Sequence, residues 1–201
     1  MEAKKLGRID NILRFWFGDR VEVSELYLKG RMQFWFGKNP VVDKEIKDRF
    51  ELQDYKLSIE GKTTPWRETP RGCLAQILVF DQFPRNMFRG DVLMYATDAN
   101  ALEIAKYAIA QGYDKRLTPI ERVFIYMPFQ HSENIDDQQK GVKLFDELAR
   151  ESTLLTDDLK YAKLHYDVIK RFGRFPHRNQ ILGRKSTPEE VEFLEQPGSR
   201  F

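Results

Sequence analysis

The sequence contains a single cysteine, Cys73, among 201 residues. One cysteine excludes an intrachain disulfide and a cysteine-rich metal centre, and it fits a reducing compartment. Long apolar runs are also missing, because no stretch approaches the roughly 18 apolar residues that a membrane span requires. The N-terminal MEAKKLGRIDN lacks the apolar segment of a secretory signal peptide. We therefore expect a soluble, cytoplasmic protein without a membrane partner.

An excess of charge of one sign is equally absent. The chain has 33 Lys and Arg against 31 Asp and Glu, a net charge of +2, and these residues are interspersed. Nucleic-acid-binding proteins concentrate basic residues in a patch or stripe, so nucleic acid is not an expected partner. Aromatic residues are abundant instead, with 15 Phe, 8 Tyr and 3 Trp, and they predict an aromatic core for one helical domain over residues 1–201.

Helical spacing of apolar residues dominates the chain, and the alternation typical of strands is absent. Three helices are predicted to begin after Thr69, Thr118 and Thr187, because each threonine can cap a helix and is followed by proline. Glu121 and Glu190 complete capping boxes at the last two starts. The fold class is therefore all-α, with seven to nine helices. Besides the central helix, helices are predicted at residues 5–17, 41–60, 97–111, 119–129, 134–150 and 157–172.

We expect the chain to be organised around residues 69–91, TPRGCLAQILVFDQFPRNMFRGD. The helical part of this stretch is apolar on nearly all sides, which indicates a buried central helix. Asp81 projects from its leucine face, where a carboxylate needs a partner. Pro84 leaves the carbonyl of Phe80 without its usual hydrogen bond, so we predict a kink or a helix end beside Asp81.

Two of the three histidines are candidates for acid–base chemistry. His177 is the strongest candidate for proton transfer, because it lies in the loop RFGRFPHRN next to Arg178. His131 could form an acid–base pair with Glu133 if the two met in a turn, but a histidine that only ends a helix is the more frequent outcome. His165 falls on an apolar stripe, which favours a core position.

Several segments, taken in order, resemble the DUF924 family of uncharacterised proteins. They read FWFG, TPRG, DQFPRN, PFQHSE, FGRFPHRN, LGR and STPEE, and the resemblance runs from about residue 9 to Phe201. It implies an all-helical fold grouped with tetratricopeptide-like arrays, and no established activity. Two positions depart from the family pattern: Gly141 stands where a serine is expected, and Arg200 lies in a tail that more often reads GSSF.

The DQFPRN, PFQHSE and FGRFPHRN segments are predicted to form a polar pocket for a small anionic ligand, since guanidinium groups suit a carboxylate or phosphate. A second hypothesis is a hydrolase or lyase that uses His177 or His131 with Asp81 in acid–base catalysis, with or without the help of a metal ion. A third is a tetratricopeptide-like scaffold for a protein partner. The predicted catalytic residues are His177, His131, Asp81 and Glu133, and the predicted ligand-binding residues are Gln82, Arg85, Asn86, Arg174, Arg178 and Asn179.

Each candidate also has a structural interpretation. Asp81 with Arg85 and Arg178 could be a buried ion pair that holds the kinked helix against the 173–182 loop. No HExxH motif or glycine-rich phosphate loop is present, so no metal ligand is assigned and the cofactor stays unknown. Cys73 and Ser132 lack the neighbours that would mark a nucleophile.

Overall fold

A computed structural model describes residues 2–19 and 24–199 of the chain. All regular secondary structure in those ranges is helical, and they contain no strand, which confirms the all-α prediction. Among the same residues, no helix combines the length and the hydrophobicity that crossing a bilayer requires. The α-helices are α1 (Glu2–Phe17), α2 (Glu25–Phe36), α3 (Pro40–Phe50), α4 (Lys56–Ile59), α5 (Pro70–Ile77), α6 (Phe83–Met87), α7 (Asp98–Ala110), α8 (Pro119–His131), α9 (Ile135–Glu151), α10 (Thr156–Phe172) and α11 (Pro188–Leu194).

Two of these helices continue through internal π-helical turns. The turn Glu51–Tyr55 joins α3 to α4, and the turn Leu78–Gln82 joins α5 to α6. With these junctions counted, the described residues form nine continuous helices, within the predicted range of seven to nine. The tetratricopeptide-like arrangement and the domain bounds of 1–201 stay predictions.

The predicted capping residues begin their helices. The Thr187 hydroxyl accepts a hydrogen bond from the backbone N–H of Glu190 at 3.2 Å, and the Glu190 carboxylate accepts one from the N–H of Thr187 at 2.8 Å. Glu121 accepts from the N–H of Thr118 in the same way, at 2.9 Å. At its other end α8 runs to His131, past the predicted end at residue 129, so His131 is the last residue of a helix.

The two FWFG segments pack against each other in the core. Trp16, Phe17 and Trp35 are buried, and the Trp35 indole N–H donates to the carbonyl of Trp16 at 2.8 Å. The ring of Phe124 from α8 lies 5.3 Å from Phe17 and 5.0 Å from Trp35. Every residue from 73 to 80 is also buried, so α5 is the predicted central helix of this aromatic core.

Pro84 does not end the central helix. The π turn Leu78–Gln82 absorbs the irregularity, and the helix continues into α6. The carbonyl of Phe80 is satisfied by the Thr97 hydroxyl, which donates to it at 2.7 Å. Asp81 lies within this π turn, and such turns are frequent at functional sites.

Candidate functional site

Asp81 and His131 form a hydrogen-bonded pair. Asp81 Oδ1 lies 2.6 Å from His131 Nδ1, and this contact joins the π turn of the central helix to the last residue of α8. Gln82 donates to the other carboxylate oxygen at 2.5 Å, and Arg85 Nη2 lies 3.9 Å from Oδ1. Asp81 is fully buried, so its charge depends on these three partners.

The surroundings of Asp81 fix the tautomer of His131. Burial alone would raise the pKa of the Asp81 carboxyl, but the charge and hydrogen bond of His131, together with Arg85 and Gln82, lower the pKa below its ordinary value. Asp81 is therefore ionised at neutral pH and accepts hydrogen bonds only. His131 Nδ1 must then carry a hydrogen, an assignment that rests on this bond.

The second nitrogen of His131 faces outward. Within the described residues, Nε2 makes no hydrogen bond and is not one of the buried polar atoms that lack a partner. The imidazole side chain is 17% exposed, whereas the Asp81 carboxylate behind it is 0% exposed. His131 Nε2 is therefore accessible from solvent, while Asp81 holds the imidazole ring in place from behind.

Two of the predicted ligand-binding arginines converge on Asp98, which the sequence analysis did not select. Arg85 Nη2 lies 2.8 Å from Asp98 Oδ1, and Arg178 Nη1 donates to Oδ2 at 3.0 Å. Both guanidinium groups lie over the Tyr95 ring, 4.9 and 4.6 Å from its centroid. Arg178 Nη2 also donates to the carbonyl of His131 at 3.0 Å, so the loop before α11 is joined to the end of α8.

Glu133 binds Arg184 rather than His131. Its carboxylate accepts hydrogen bonds from Arg184 at 2.7 and 3.0 Å and from the backbone N–H of Phe175 at 2.7 Å. Burial would raise the pKa of Glu133, but the Arg184 and Phe175 hydrogen bonds lower it below its ordinary value. The carboxylate is therefore an ionised anchor for the 173–184 loop.

Three predicted ligand-binding residues are engaged by other parts of the fold. Arg174 donates to Glu190 at 2.6 and 2.8 Å, and Asn179 donates to the same carboxylate at 3.2 Å. Asn86 donates to Asp43 of α3 at 2.8 Å. The predicted residues that the structure brings together around one point are Asp81, Gln82, Arg85, His131 and Arg178.

His165 and His177 lie near His131 in a less polar setting. The His165 ring centroid is 6.4 Å from that of His131, and the Phe175 ring lies 5.6 Å from His165 and 5.4 Å from His177. His165 Nδ1 is 2.8 Å from the carbonyl oxygen of Tyr161, so this nitrogen carries a hydrogen. Burial lowers the pKa of both His165 and His177 to about 3, and both are neutral at physiological pH.

The lowered pKa values of His165 and His177 predict that the protein loses stability in acid. The unfolded chain protonates them near pH 6.5, whereas the folded protein binds the protons only near the pKa of about 3, so lowering the pH between these values favours unfolding. Each histidine contributes up to about 1.4 kcal/mol per pH unit. We expect His165→Gln to lose less stability than wild type between pH 7 and pH 4.5 in urea unfolding.

The control for this comparison is Lys163→Gln, an exposed position on the same helix. It should follow the wild-type pH dependence, because it removes no buried imidazole. Parallel stability losses in wild type and His165→Gln would contradict the assignment of His165 as a buried neutral histidine.

Metal and thiol chemistry have little support at this site. In the part of the chain that the structure describes, no group of three or more His, Cys, Asp or Glu side chains is placed to hold a metal ion. Cys73 is buried, and burial raises the pKa of its thiol to about 11, so the group is not a thiolate at neutral pH.

Two cavities lie elsewhere in the molecule. One of about 260 Å³ lies beside Arg71 and Glu121 at the end of α1, and one of about 130 Å³ lies between α2, α8 and the start of α10. Neither is lined by Asp81 or His131. A ligand at His131 would therefore bind against the outward face of the imidazole rather than within either cavity.

Comparisons with known proteins agree with the motifs in the sequence. Residues 12–198 match the model of a family described as bacterial protein of unknown function, DUF924. A solved structure of a protein of unknown function from Agrobacterium tumefaciens is similar, with 37% sequence identity, a TM-score of 0.83, and coverage of 96% of this chain and 99% of that one. A comparison with curated proteins gives no match. The chain belongs to the DUF924 family of bacterial proteins.

Proposed function

We propose that the protein binds a small anionic molecule over His131 and transfers a proton to or from it, as a hydrolase or a lyase does. The observation that carries this proposal is the hydrogen bond between buried Asp81 and His131, which leaves His131 Nε2 accessible. A carboxylate behind an imidazole fixes the ring and its tautomer, and it stabilises the imidazolium that forms when Nε2 takes a proton.

The arginines beside this pair favour an anionic ligand. Arg85 and Arg178 both contact Asp98, and Arg85 also lies 3.9 Å from Asp81, so two guanidinium groups are concentrated beside His131. Arg178 Nε is buried and has no hydrogen-bond partner within the described residues. A carboxylate or phosphate oxygen would satisfy this donor, and Arg178 already contacts the backbone of His131.

His131 suits the role of base better than His177, which the sequence alone favoured. A general base works best when its pKa lies near the working pH, and the pKa of His177 is lowered to about 3 by burial and by neighbouring arginines. A pair that served only to hold the fold would gain nothing from an accessible Nε2. The exposure of the imidazole in front of a sealed carboxylate therefore supports proton transfer.

Inorganic phosphate and acetate test the binding step. We expect saturable shifts of the His131 imidazole signals in NMR titrations of the wild-type protein. Arg178→Lys, which keeps the charge but lacks the Nε donor, should bind about tenfold more weakly, because one charge-assisted hydrogen bond contributes about 1.5–3 kcal/mol. His165→Gln should retain the binding, since His165 is bonded to the backbone of its own helix.

Conversion of substrate tests the catalytic step. A panel of small phosphate monoesters and of esters that keep a free carboxylate, followed by NMR, should contain a class that wild type converts and that His131→Gln converts at least about 100-fold more slowly. Binding without conversion would remove the catalytic claim and leave a ligand-binding protein. The absence of any saturable phosphate or acetate shift would contradict both steps.

A further inference from the structure

The cavity of about 130 Å³ has an apolar lining with two carboxylates in it. Its lining includes Trp35 and Phe36 of α2, Phe124 of α8, and Asp157 and Asp158 of α10. This group of residues is called the α2–α8 groove below. It uses none of the residues of the Asp81–His131 site.

The α2–α8 groove is open to solvent at Phe36 and Met32, whereas Trp35 and Phe124 are buried. The Phe36 ring stacks on Phe124 with an angle of 14° between planes and 6.5 Å between centroids, and the Trp35 ring meets Phe124 at 5.0 Å. Phe36 is 48% exposed and Met32, on the rim, is 43% exposed. Adjacent large apolar side chains with this exposure are characteristic of binding sites.

The two carboxylates of the groove, Asp157 and Asp158, have no ion pair within the described residues, whereas the buried acid Asp54 is paired with Arg8. Burial, together with the neighbouring charge of Asp157, raises the pKa of Asp158 to about 6, and its own backbone N–H offsets this only in part. A cation bound beside Asp158 would stabilise the ionised form of its carboxyl group.

We propose that the α2–α8 groove binds a small organic ammonium ion, a primary amine that carries an apolar group of about the size of a phenyl ring. The apolar group would occupy the cavity, since an apolar cavity of about 150 Å³ accepts benzene. The ammonium would donate hydrogen bonds to Asp158 and Asp157, and it would lie near the aromatic faces, which attract cations.

Phenethylamine is the probe for this site. At pH 7.5 we expect saturable binding, seen in Trp35 fluorescence and in backbone NMR shifts confined to α2, α8 and the start of α10. The neutral isostere 2-phenylethanol should bind at least about tenfold more weakly, because it lacks the charge that pairs with Asp158. Phenylacetate, which is an anion, should not bind. Asp158→Asn should weaken phenethylamine binding by about tenfold or more.

The matched control is Asp136→Asn. Asp136 and Asp158 each lie in the first turn of a helix, α9 and α10, but Asp136 is exposed and lies outside the groove. Asp136→Asn should leave phenethylamine binding unchanged. Asp158→Asn should fold and should raise the melting temperature at pH 7, because it removes a half-buried charge without a partner. Loss of binding in that variant would then not reflect unfolding.

Results of three kinds would overturn the proposal. The first is the absence of saturable phenethylamine binding at millimolar concentration. The second is equal binding of phenethylamine and 2-phenylethanol, or unchanged binding in Asp158→Asn. The third is binding only of a lysine-containing apolar peptide, which would assign the groove to a protein partner.

Discussion

Replacing Gly72 with alanine should lower the free energy of unfolding by about 3 kcal/mol, because the added methyl group has no room. A Cβ at this position would lie 1.9 Å from the carbonyl oxygen of Trp66 and 2.7 Å from its carbonyl carbon. These are backbone atoms, so no side-chain rotation relieves the clash. The turn before the central helix, or the helix itself, would have to move. Urea unfolding of the purified variant measures the loss.

Gly30→Ala provides the control for Gly72→Ala. Gly30 also lies within a helix, α2, but a Cβ there would meet no atom within 4 Å. Alanine should therefore stabilise α2 by about 0.5–1 kcal/mol, through the lower conformational freedom of the unfolded chain. Similar stability changes in the two variants would contradict the close approach of backbone to backbone at Gly72.

Gly72 also illustrates what the sequence could predict. The Thr69-Pro70 pair predicted the start of the central helix correctly, because capping depends on neighbouring residues only. The need for glycine two residues later arises from the turn Thr64–Glu68, which folds back onto the helix and places Trp66 against it. That contact depends on packing, so Gly72 could not be singled out from the other residues of TPRG by sequence alone.

The candidate site shows the same division between local and non-local information. Asp81 was recognisable as a carboxylate in an apolar helix, and such a group requires a partner wherever the helix packs. Which partner a carboxylate takes was not predictable: Glu133 was a candidate partner of His131 if the two met in a turn, but it binds Arg184, 51 residues further along the chain. Asp98 was missed because an acid in the first turn of a helix is commonplace, and nothing local indicates that two distant arginines converge on it.

Asp81→Asn should lower the free energy of unfolding by about 2–3 kcal/mol at pH 7. The substitution preserves the shape of the side chain but removes a fully buried charge, and with it the charge-assisted character of the hydrogen bond to His131. Since the pKa of Asp81 is lowered in the folded protein, its contribution is present above about pH 4 and is lost as the pH falls through the folded-state pKa. The stability difference from wild type should therefore shrink in strong acid.

The same substitution separates a structural role of the pair from a catalytic one. An asparagine can turn its amide N–H₂ toward His131 Nδ1, and this would favour the tautomer with the hydrogen on Nε2. Nε2 would then be unable to accept a proton, and activity should fall by about 10³–10⁴ in a protein that still folds. Imidazole ¹⁵N shifts report the tautomer directly. If the tautomer changes and the rate does not, His131 is not the base, and the Asp81–His131 pair serves the fold alone.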